Sequence, residues 1–376
     1  MTSSGGRAEF SRFEIPLPGG RVCPVVIGPG AVALAPDRIR ALPASRCAVI
    51  TDSHLEATHG TSVAALLRSA GIDAHLFTFP AGEVNKTRAS KESLEDRMIA
   101  AGFGRDSSVV AVGGGVTGDL AGFVAATFMR GVPYLQVPTS LLAMTDAAIG
   151  GKTAVDHPRG KNLIGAFHHP EAVIADTDFL KSLPFGELRT GLAEMIKAGV
   201  VADAGLFESI EADAPRLAAG DLATLGLHLP RAVAVKVQVV SADEREADRR
   251  QILNFGHTIG HALELESGFA LSHGEAVSIG MVVESRIAAR LGLLGAGDVE
   301  RLQSLLSAVG LPVGPPLGSD PRRILDAARA DKKACSGKVR FVLPTRIGEM
   351  ARGEGGYAIS VPEGDALAAL GAAAGN

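Results

Sequence analysis

Residues 108–128 read SVVAVGGGVTGDLAGFVAATF, and this stretch decides the fold. Residues 108–112 form a strand pattern that runs straight into Gly113-Gly114-Gly115-Val116-Thr117-Gly118-Asp119, and an Ala-rich helix pattern follows over 120–128. A strand, a glycine turn and a helix in immediate succession are the start of a βαβ unit. Glycines at such a junction let backbone N–H groups approach a phosphate, and the helix dipole favours its negative charge. The spacing is not GxGxxG, and the same glycines also serve close packing between strand and helix.

Working outward, strand patterns at 47–51 and 74–78 alternate with helix patterns at 62–69 and 88–101, and further strand signals follow at 134–137 and 172–175. That alternation predicts a parallel sheet with crossover helices. Residues 10–15 and 21–27, separated by Pro-Leu-Pro-Gly-Gly, predict a β-hairpin, and residues 1–9 a disordered lead. After Leu183-Pro184 the period becomes helical, over 187–201, 204–211, 225–240, 258–266, 275–291 and 298–309. A Pro/Gly-rich connector at 312–321, a late strand pair at 339–343 and 356–361, and a frayed tail at 366–376 complete the reading. The expected organisation is a Rossmann-like α/β nucleotide-binding domain over 1–184, followed by a mostly α-helical metal-binding domain over 185–376.

Length and charge narrow the function classes. A chain of 376 residues exceeds the size at which one core keeps growing, which agrees with two domains. A formal net charge of -4, no Trp and two Tyr give neither the basic footprint nor the stacking platforms of a nucleic-acid binder. Cys23, Cys47 and Cys335 form no CxxC pair, and a reducing cytoplasm is expected. The N-terminus carries no apolar leader pattern, and no segment reaches the roughly 18 apolar residues of a membrane span.

The polar chemistry gathers in residues 254–274, NFGHTIGHALELESGFALSHG. His257 and His261 are spaced i, i+4, so on a helix both imidazoles leave one face, and His273 returns after a glycine-containing turn. Histidines at this spacing either pack and hydrogen-bond or bind a metal; zinc would lack only a carboxylate, and the Glu of the HExxH protease motif is missing. Glu194 lies i, i+3 from Lys197, so it is either that carboxylate or an ordinary helical ion-pair partner. Residues 146–157, DAAIGGKTAVDH, with Gly160-Lys161-Asn162, form a glycine-rich segment in which Lys152, Lys161 and Asn162 suit an anion. Lys236, Arg250 and Asn254 would give the histidine stretch a positive rim, or Arg249 and Arg250, with the mixed-charge run 243–248 before them, form a solvated loop. A nucleotide site, a metal site and an anion pocket together are the anatomy of a metal-dependent oxidoreductase or lyase.

Six motifs in order, GGGVTGDLAGFVAATFMRG, DAAIGGKTAVDHPRGKNLIGAF, GLAEMIK, LNFGHTIGHALE, SHGEAV and DKKACSGKVRFVLP, closely resemble the 3-dehydroquinate synthase family of sugar-phosphate cyclases, over about residues 50–348. The resemblance implies zinc, with Co2+ as an alternative, held by Glu194, His257 and His273, leaving His261 as a substrate contact. It implies NAD contacts from Asp52, Glu83, Lys86, Gly114, Gly115, Val116, Asp119, Thr139, Ser140, Lys152, Lys161, Phe179 and Ser182. It implies a substrate shell of Asp146, Lys152, Lys161, Asn162, Lys197, Lys236, Arg250, Asn254, His261 and Lys332 or Lys333, and a cytoplasmic homodimer in which Arg130 reaches the neighbouring site. The implied reaction converts 3-deoxy-arabino-heptulosonate 7-phosphate to 3-dehydroquinate and phosphate in the shikimate pathway, through transient oxidation by NAD, β-elimination, reduction and intramolecular aldol closure. Asp156 departs from the pattern, which more often carries Asn there. Rival readings are another cyclase, such as a 2-deoxy-scyllo-inosose or amino-dehydroquinate synthase, a metal-dependent alcohol dehydrogenase, or a regulatory protein that retains the sites without turnover. The intact set of convergent charges argues against the last.

Overall fold

The computed structural model describes residues 10–158, 160–268, 270–330 and 339–374. The expected disordered lead, Lys332, Lys333 and Cys335 lie outside the described residues. The chain divides into two compact units, Met1–Leu183 and Pro184–Asn376.

The first unit contains β1 (Ser11–Pro16), β2 (Val22–Gly28), α1 (Ala35–Arg40), β3 (Arg46–Asp52), α2 (Thr61–Ser69), β4 (Asp73–Phe79), α3 (Arg88–Ala100), β5 (Ser107–Gly113), α4 (Gly115–Thr127), β6 (Tyr134–Pro138), β7 (Lys152–His157), β8 (Gly160–Phe167) and β9 (Ala172–Asp176). Seven strands form one sheet in the order β1-β2-β9-β6-β5-β3-β4, with the β1–β2 pair antiparallel and all other pairs parallel. The period of two along β5 sends Val109 and Ala111 into one core, with Leu94, Met98, Leu120 and Val124. It sends Val110 and Val112 into the other, with Val63, Leu67 and Ile39. A sheet covered on both faces leaves its strand ends as the place for a ligand. The chain runs from β3 outward to β4 and then returns to β5 on the other side of β3, so the strand order reverses between β3 and β5. Ligands of open α/β sheets bind in the crevice outside such a switch point. Asp52 closes β3 there and Gly113 closes β5.

Two expectations for this unit change. The glycine turn is shorter than its sequence suggests: Gly114 caps α4, which already starts at Gly115, so Val116 and Asp119 belong to the helix. Low helix propensity of glycine stops the sequence reading at Leu120, and packing against the sheet overrides it. The segment 152–167 is not a loop but the antiparallel hairpin β7–β8, whose Val155 joins the core beside Phe123 and Val124.

The second unit contains α5 (Phe185–Ala202), α6 (Ala204–Ala212), α7 (Ala214–Ala218), α8 (Leu222–Ala242), α9 (His257–Glu266), α10 (His273–Arg290), α11 (Ala296–Ala308), α12 (Pro321–Ala330), β10 (Arg340–Val342), β11 (Pro344–Arg346), β12 (Glu349–Met350), β13 (Ala358–Ser360) and α13 (Glu363–Ala374). The expected late pair is present, as β10 antiparallel to β13. The tail expected to fray is instead α13, because Ala366, Ala369, Leu370 and Ala373 form a helical stripe buried against α10 and α12. Glycines let the three helices of this unit that matter most approach closely. A Cβ on Gly280 of α10 would sit 1.9 Å from the Gly256 carbonyl oxygen at the start of α9, and one on Gly274 would sit 2.2 Å from the Thr190 oxygen of α5. No side chain fits either contact.

Candidate functional site

The starts of two helices build the site of the second unit. Ser272 and Glu275 form a capping box that opens α10, Ser272 N donating to Glu275 Oε2 at 2.9 Å, which places His273 as its first residue. Helix α9 opens on His257, and its N-terminal N–H groups meet a carboxylate from α10: Glu284 accepts from Gly256 N at 2.8 Å and from Ile259 N at 3.3 Å. The His257 ring is fixed by its Nδ1, which donates to the Phe255 carbonyl at 3.1 Å, so Nε2 carries the ring lone pair and faces Glu194 Oε1 at 3.7 Å. His273 presents Nε2 to the same Glu194 oxygen at 3.6 Å, while its Nδ1 faces Glu264 Oε1 at 3.4 Å.

One ligand atom from each of Glu194, His257 and His273 lies within 4.8 Å of the others, and a second such group is His261, Glu264 and His273. Two neutral imidazoles and a carboxylate are a donor set that zinc accepts with a coordination position left for substrate. Burial alone would lower the His273 pKa, but hydrogen bonds and charge from Glu194 and Glu264 outweigh it and raise it to about 9. A pocket that attracts a proton onto a half-buried imidazole attracts a divalent cation for the same reason, so the residues fit a metal.

Around this cluster, Lys197 pairs with Glu194 one turn away on α5, both about 2% exposed. The ion-pair and metal-carboxylate readings of Glu194 are therefore compatible. Arg250, also 2% exposed, is no member of a solvated loop; its guanidinium donates to the Glu244 carbonyl at 2.5 Å. Lys236 is buried on α8, which packs on α5 and on the turn Arg249–Asn254 that carries Arg250. The Asn254 side chain donates to Glu246, a residue in the left-handed region at φ 61°.

The first unit gathers a different set. Asp52, at the end of β3, accepts from Thr117 Oγ1 of α4 at 3.1 Å and from His54 N at 2.9 Å, tying β3 to the glycine turn. Thr139 N donates to Gly113 O at 3.0 Å, and Ser140 Oγ accepts from Ala143 N, so the residues after β6 border the same turn. Lys86 is 3% exposed, and its Nζ lies 2.6 Å from Asp119 Oδ2, 2.5 Å from Asn162 Oδ1 and 3.8 Å from Glu83 Oε1. Burial alone would lower the Lys86 pKa, but Asp119 and Glu83 outweigh it and the ammonium titrates above its usual range. Lys161 Nζ stands 3.6 Å from Glu83 Oε1. Burial, with a contribution from Glu83 and against the pull of Lys86, raises the Asp156 carboxyl to about 6.

Other expected residues of the first unit lie outside this cluster. Asp146 is half-buried on the short turn Ala143–Ala147, and Lys152 is exposed at the start of β7. Phe179 and Ser182 both meet His59, at 4.5 Å between ring centroids and 2.8 Å from Nε2 to Oγ. Arg130 is exposed at a tip where Met129, Arg130 and Gly131 all have positive φ. Sequence reasoning missed Thr117, Glu246, Glu264 and Glu284, and noted Asp156 without giving it a contact. Of the missed residues only Glu264 had a usable signal, at i+3 from His261; Thr117 and Glu284 act through contacts between distant segments, and Glu246 across a turn to Asn254.

Comparison with known proteins fits this arrangement. The 3-dehydroquinate synthase N-terminal and C-terminal families match residues 76–190 and 191–334. A 3-dehydroquinate synthase from Caulobacter vibrioides is 46% identical over 341 residues, covering 88% of this chain and 92% of the relative. Among solved structures, 2-deoxy-scyllo-inosose synthase complexed with carbaglucose-6-phosphate, NAD+ and Co2+ superposes with a TM-score of 0.87 at 28% identity, covering 96% of this chain and 99% of the other. The 2-epi-5-epi-valiolone synthase of Streptomyces hygroscopicus subsp. jinggangensis, with NAD+ and Zn2+ bound, gives 0.83 at 31%, covering 93% and 96%. A switch-point glycine turn, a Glu-His-His cluster and this degree of identity lead to one conclusion: the chain belongs to the 3-dehydroquinate synthase family.

Proposed function

We propose that the protein is a 3-dehydroquinate synthase, converting 3-deoxy-arabino-heptulosonate 7-phosphate to 3-dehydroquinate and phosphate by transient oxidation, β-elimination, reduction and intramolecular aldol closure. The observation that carries the reading is the convergence of Glu194, His257 and His273 within 4.8 Å in a chain 46% identical to a curated 3-dehydroquinate synthase. Residues 1–184 would form the NAD-binding domain and 185–376 the metal- and substrate-binding domain, in a cytoplasmic enzyme.

When bound, NAD supplies a reversible hydride acceptor, and zinc or cobalt polarises the substrate hydroxyl oxygens. The chain's own residues supply the rest. Asp52, Glu83, Lys86, Asp119, Thr139, Ser140, Phe179, Ser182 and the α4 N-terminus at Gly114, Gly115 and Val116 would hold the dinucleotide, its pyrophosphate at the helix N-terminus. Glu194, His257 and His273 would hold the metal, with Lys197 paired to Glu194. Lys152, Lys161, Lys197, Lys236 and Arg250 carry the positive charge that a substrate with both phosphate and carboxylate requires. Asp146, Asn162, Asn254 and His261 add directional hydrogen bonds that orient its hydroxyls. The exposed Arg130 at its left-handed tip supports a homodimer in which it reaches the neighbouring subunit.

The test is phosphate release from 3-deoxy-arabino-heptulosonate 7-phosphate with NAD present, before and after metal removal, while the NADH absorbance band is followed. The expected result is release that needs both cofactors, yields 3-dehydroquinate and accumulates no NADH. No release by folded, loaded protein would overturn the substrate and favour another sugar phosphate; net NADH would identify an alcohol dehydrogenase.

A further inference from the structure

We propose that Asp156 is a positioning residue that sets Asn162 against Lys86. The two partners come from segments 76 residues apart, yet Asn162 Oδ1 lies 2.5 Å from Lys86 Nζ. Asp156 joins both segments. Its backbone N–H leaves the β7–β8 ladder, which shifts register between Val155 and His157, and donates to the Lys86 carbonyl at 2.7 Å. Its carboxylate accepts the Asn162 N–H at 2.8 Å. That second bond holds Asn162 at φ 55°, in the left-handed region, which asparagine enters more readily than other residues with a side chain but in which few residues sit. One residue thus fixes the chain on each side of the contact, and Lys161, the neighbour of Asn162, lies 3.6 Å from Glu83. The functional weight of the proposal rests on the reading of Asn162 as a substrate contact.

The experiment compares Asp156→Ala, Asp156→Asn, Asn162→Ala and the double variant Asp156→Ala/Asn162→Ala in the NAD- and metal-loaded enzyme. Steady-state kinetics are read beside hydrogen–deuterium exchange of the peptide spanning 157–167. Asp156→Ala should speed exchange there and lower kcat/KM about tenfold, chiefly through KM, which is the scale of one charge-assisted hydrogen bond. Asp156→Asn keeps an oxygen that can accept the Asn162 N–H and should stay within about threefold. The double variant should be no worse than Asn162→Ala. Losses that multiply in the double variant, an Asn variant as weak as Ala, or unchanged exchange in Asp156→Ala would overturn the proposal. If Asp156→Ala does not fold, Asp156→Glu takes its place, because it keeps the charge but displaces the carboxylate by one methylene. If Asn162→Ala alone costs nothing, the substrate role of Asn162 fails, while the exchange measurement still decides whether Asp156 positions it.

Discussion

The Glu194–His257–His273 cluster and the Lys86–Asp119–Asn162 cluster both bring distant polar groups together, but by different means. The first stands on three helices whose packing glycines admit no side chain, and its Glu194 and His257 are buried. The second draws on a short turn, a helix and an exposed hairpin strand, and its geometry depends on hydrogen bonds to backbone groups and on one left-handed residue. Helix packing suits a metal, which needs donors fixed to fractions of an ångström. Hydrogen-bonded turns suit a large flexible anion, which needs many adjustable contacts.

The largest effect should come from breaking the helical cluster at a donor. His257→Ala removes one of three convergent ligands, and kcat/KM should fall at least about a thousandfold, the order expected when a Lewis acid is lost. Metal content measured by mass spectrometry should fall with it. NAD affinity measured by calorimetry should stay within about threefold, because the expected dinucleotide contacts all come from the first unit. A large loss of NAD affinity would show that the two clusters do not act separately.

The two clusters were also unequally legible. The i, i+4 pair of His257 and His261 and the return at His273 stand out in the sequence, since helix geometry turns spacing directly into direction. Spacing could not separate His261 from His273, because that depends on where α5 sets Glu194. The parallel sheet was legible from alternating strand and helix patterns, and the switch-point turn from its glycines. The hairpin β7–β8 was not, because its glycines and lysines have the composition of a loop and only pairing makes them strands. Glu246 and Glu284 were silent, and Asp156 showed only as a departure from the family pattern, for a related reason: each acts on a residue from another segment or a later turn, and no local period records such a contact.

Lys86→Met attacks the hydrogen-bonded cluster at its centre. It leaves the Asp119 carboxylate, whose side chain is 17% exposed, without the ammonium 2.6 Å away. Breaking such a pair at one end costs about 3–5 kcal/mol, and NAD affinity should fall with stability. Adding Asp119→Asn should restore much of the stability but not the affinity; if both return together, Lys86 serves only the fold. Gly280→Ala tests the other side. A methyl 1.9 Å from the Gly256 oxygen must push α9 from α10, at a cost of about 3 kcal/mol, and should lower metal affinity while leaving NAD binding as it was. Thermal unfolding and metal titration of the same variant separate the two effects.

The smallest effect sharpens the contrast most, because it isolates charge from geometry. The Asp156 carboxyl titrates near 6 in the folded protein, raised from 3.8 by burial. A raised carboxyl pKa means that the folded chain binds the proton more tightly than the unfolded one. Its contribution to stability is therefore fully present below about pH 4 and lost as the pH rises through about 6. Asparagine carries no such titration, so Asp156→Asn should be the more stable protein above pH 6, and the two curves should converge below pH 4. Solvent reaches this half-buried group, which limits the gain to about 1 kcal/mol, or about 1 °C in Tm for a protein of this size. Thermal melts from pH 4 to pH 8 measure it. A gain that does not change with pH would come from the shape of the side chain rather than its charge, and a loss at high pH would mean that the ionised carboxylate, through Lys86 and the Asn162 N–H, already contributes more than its burial costs.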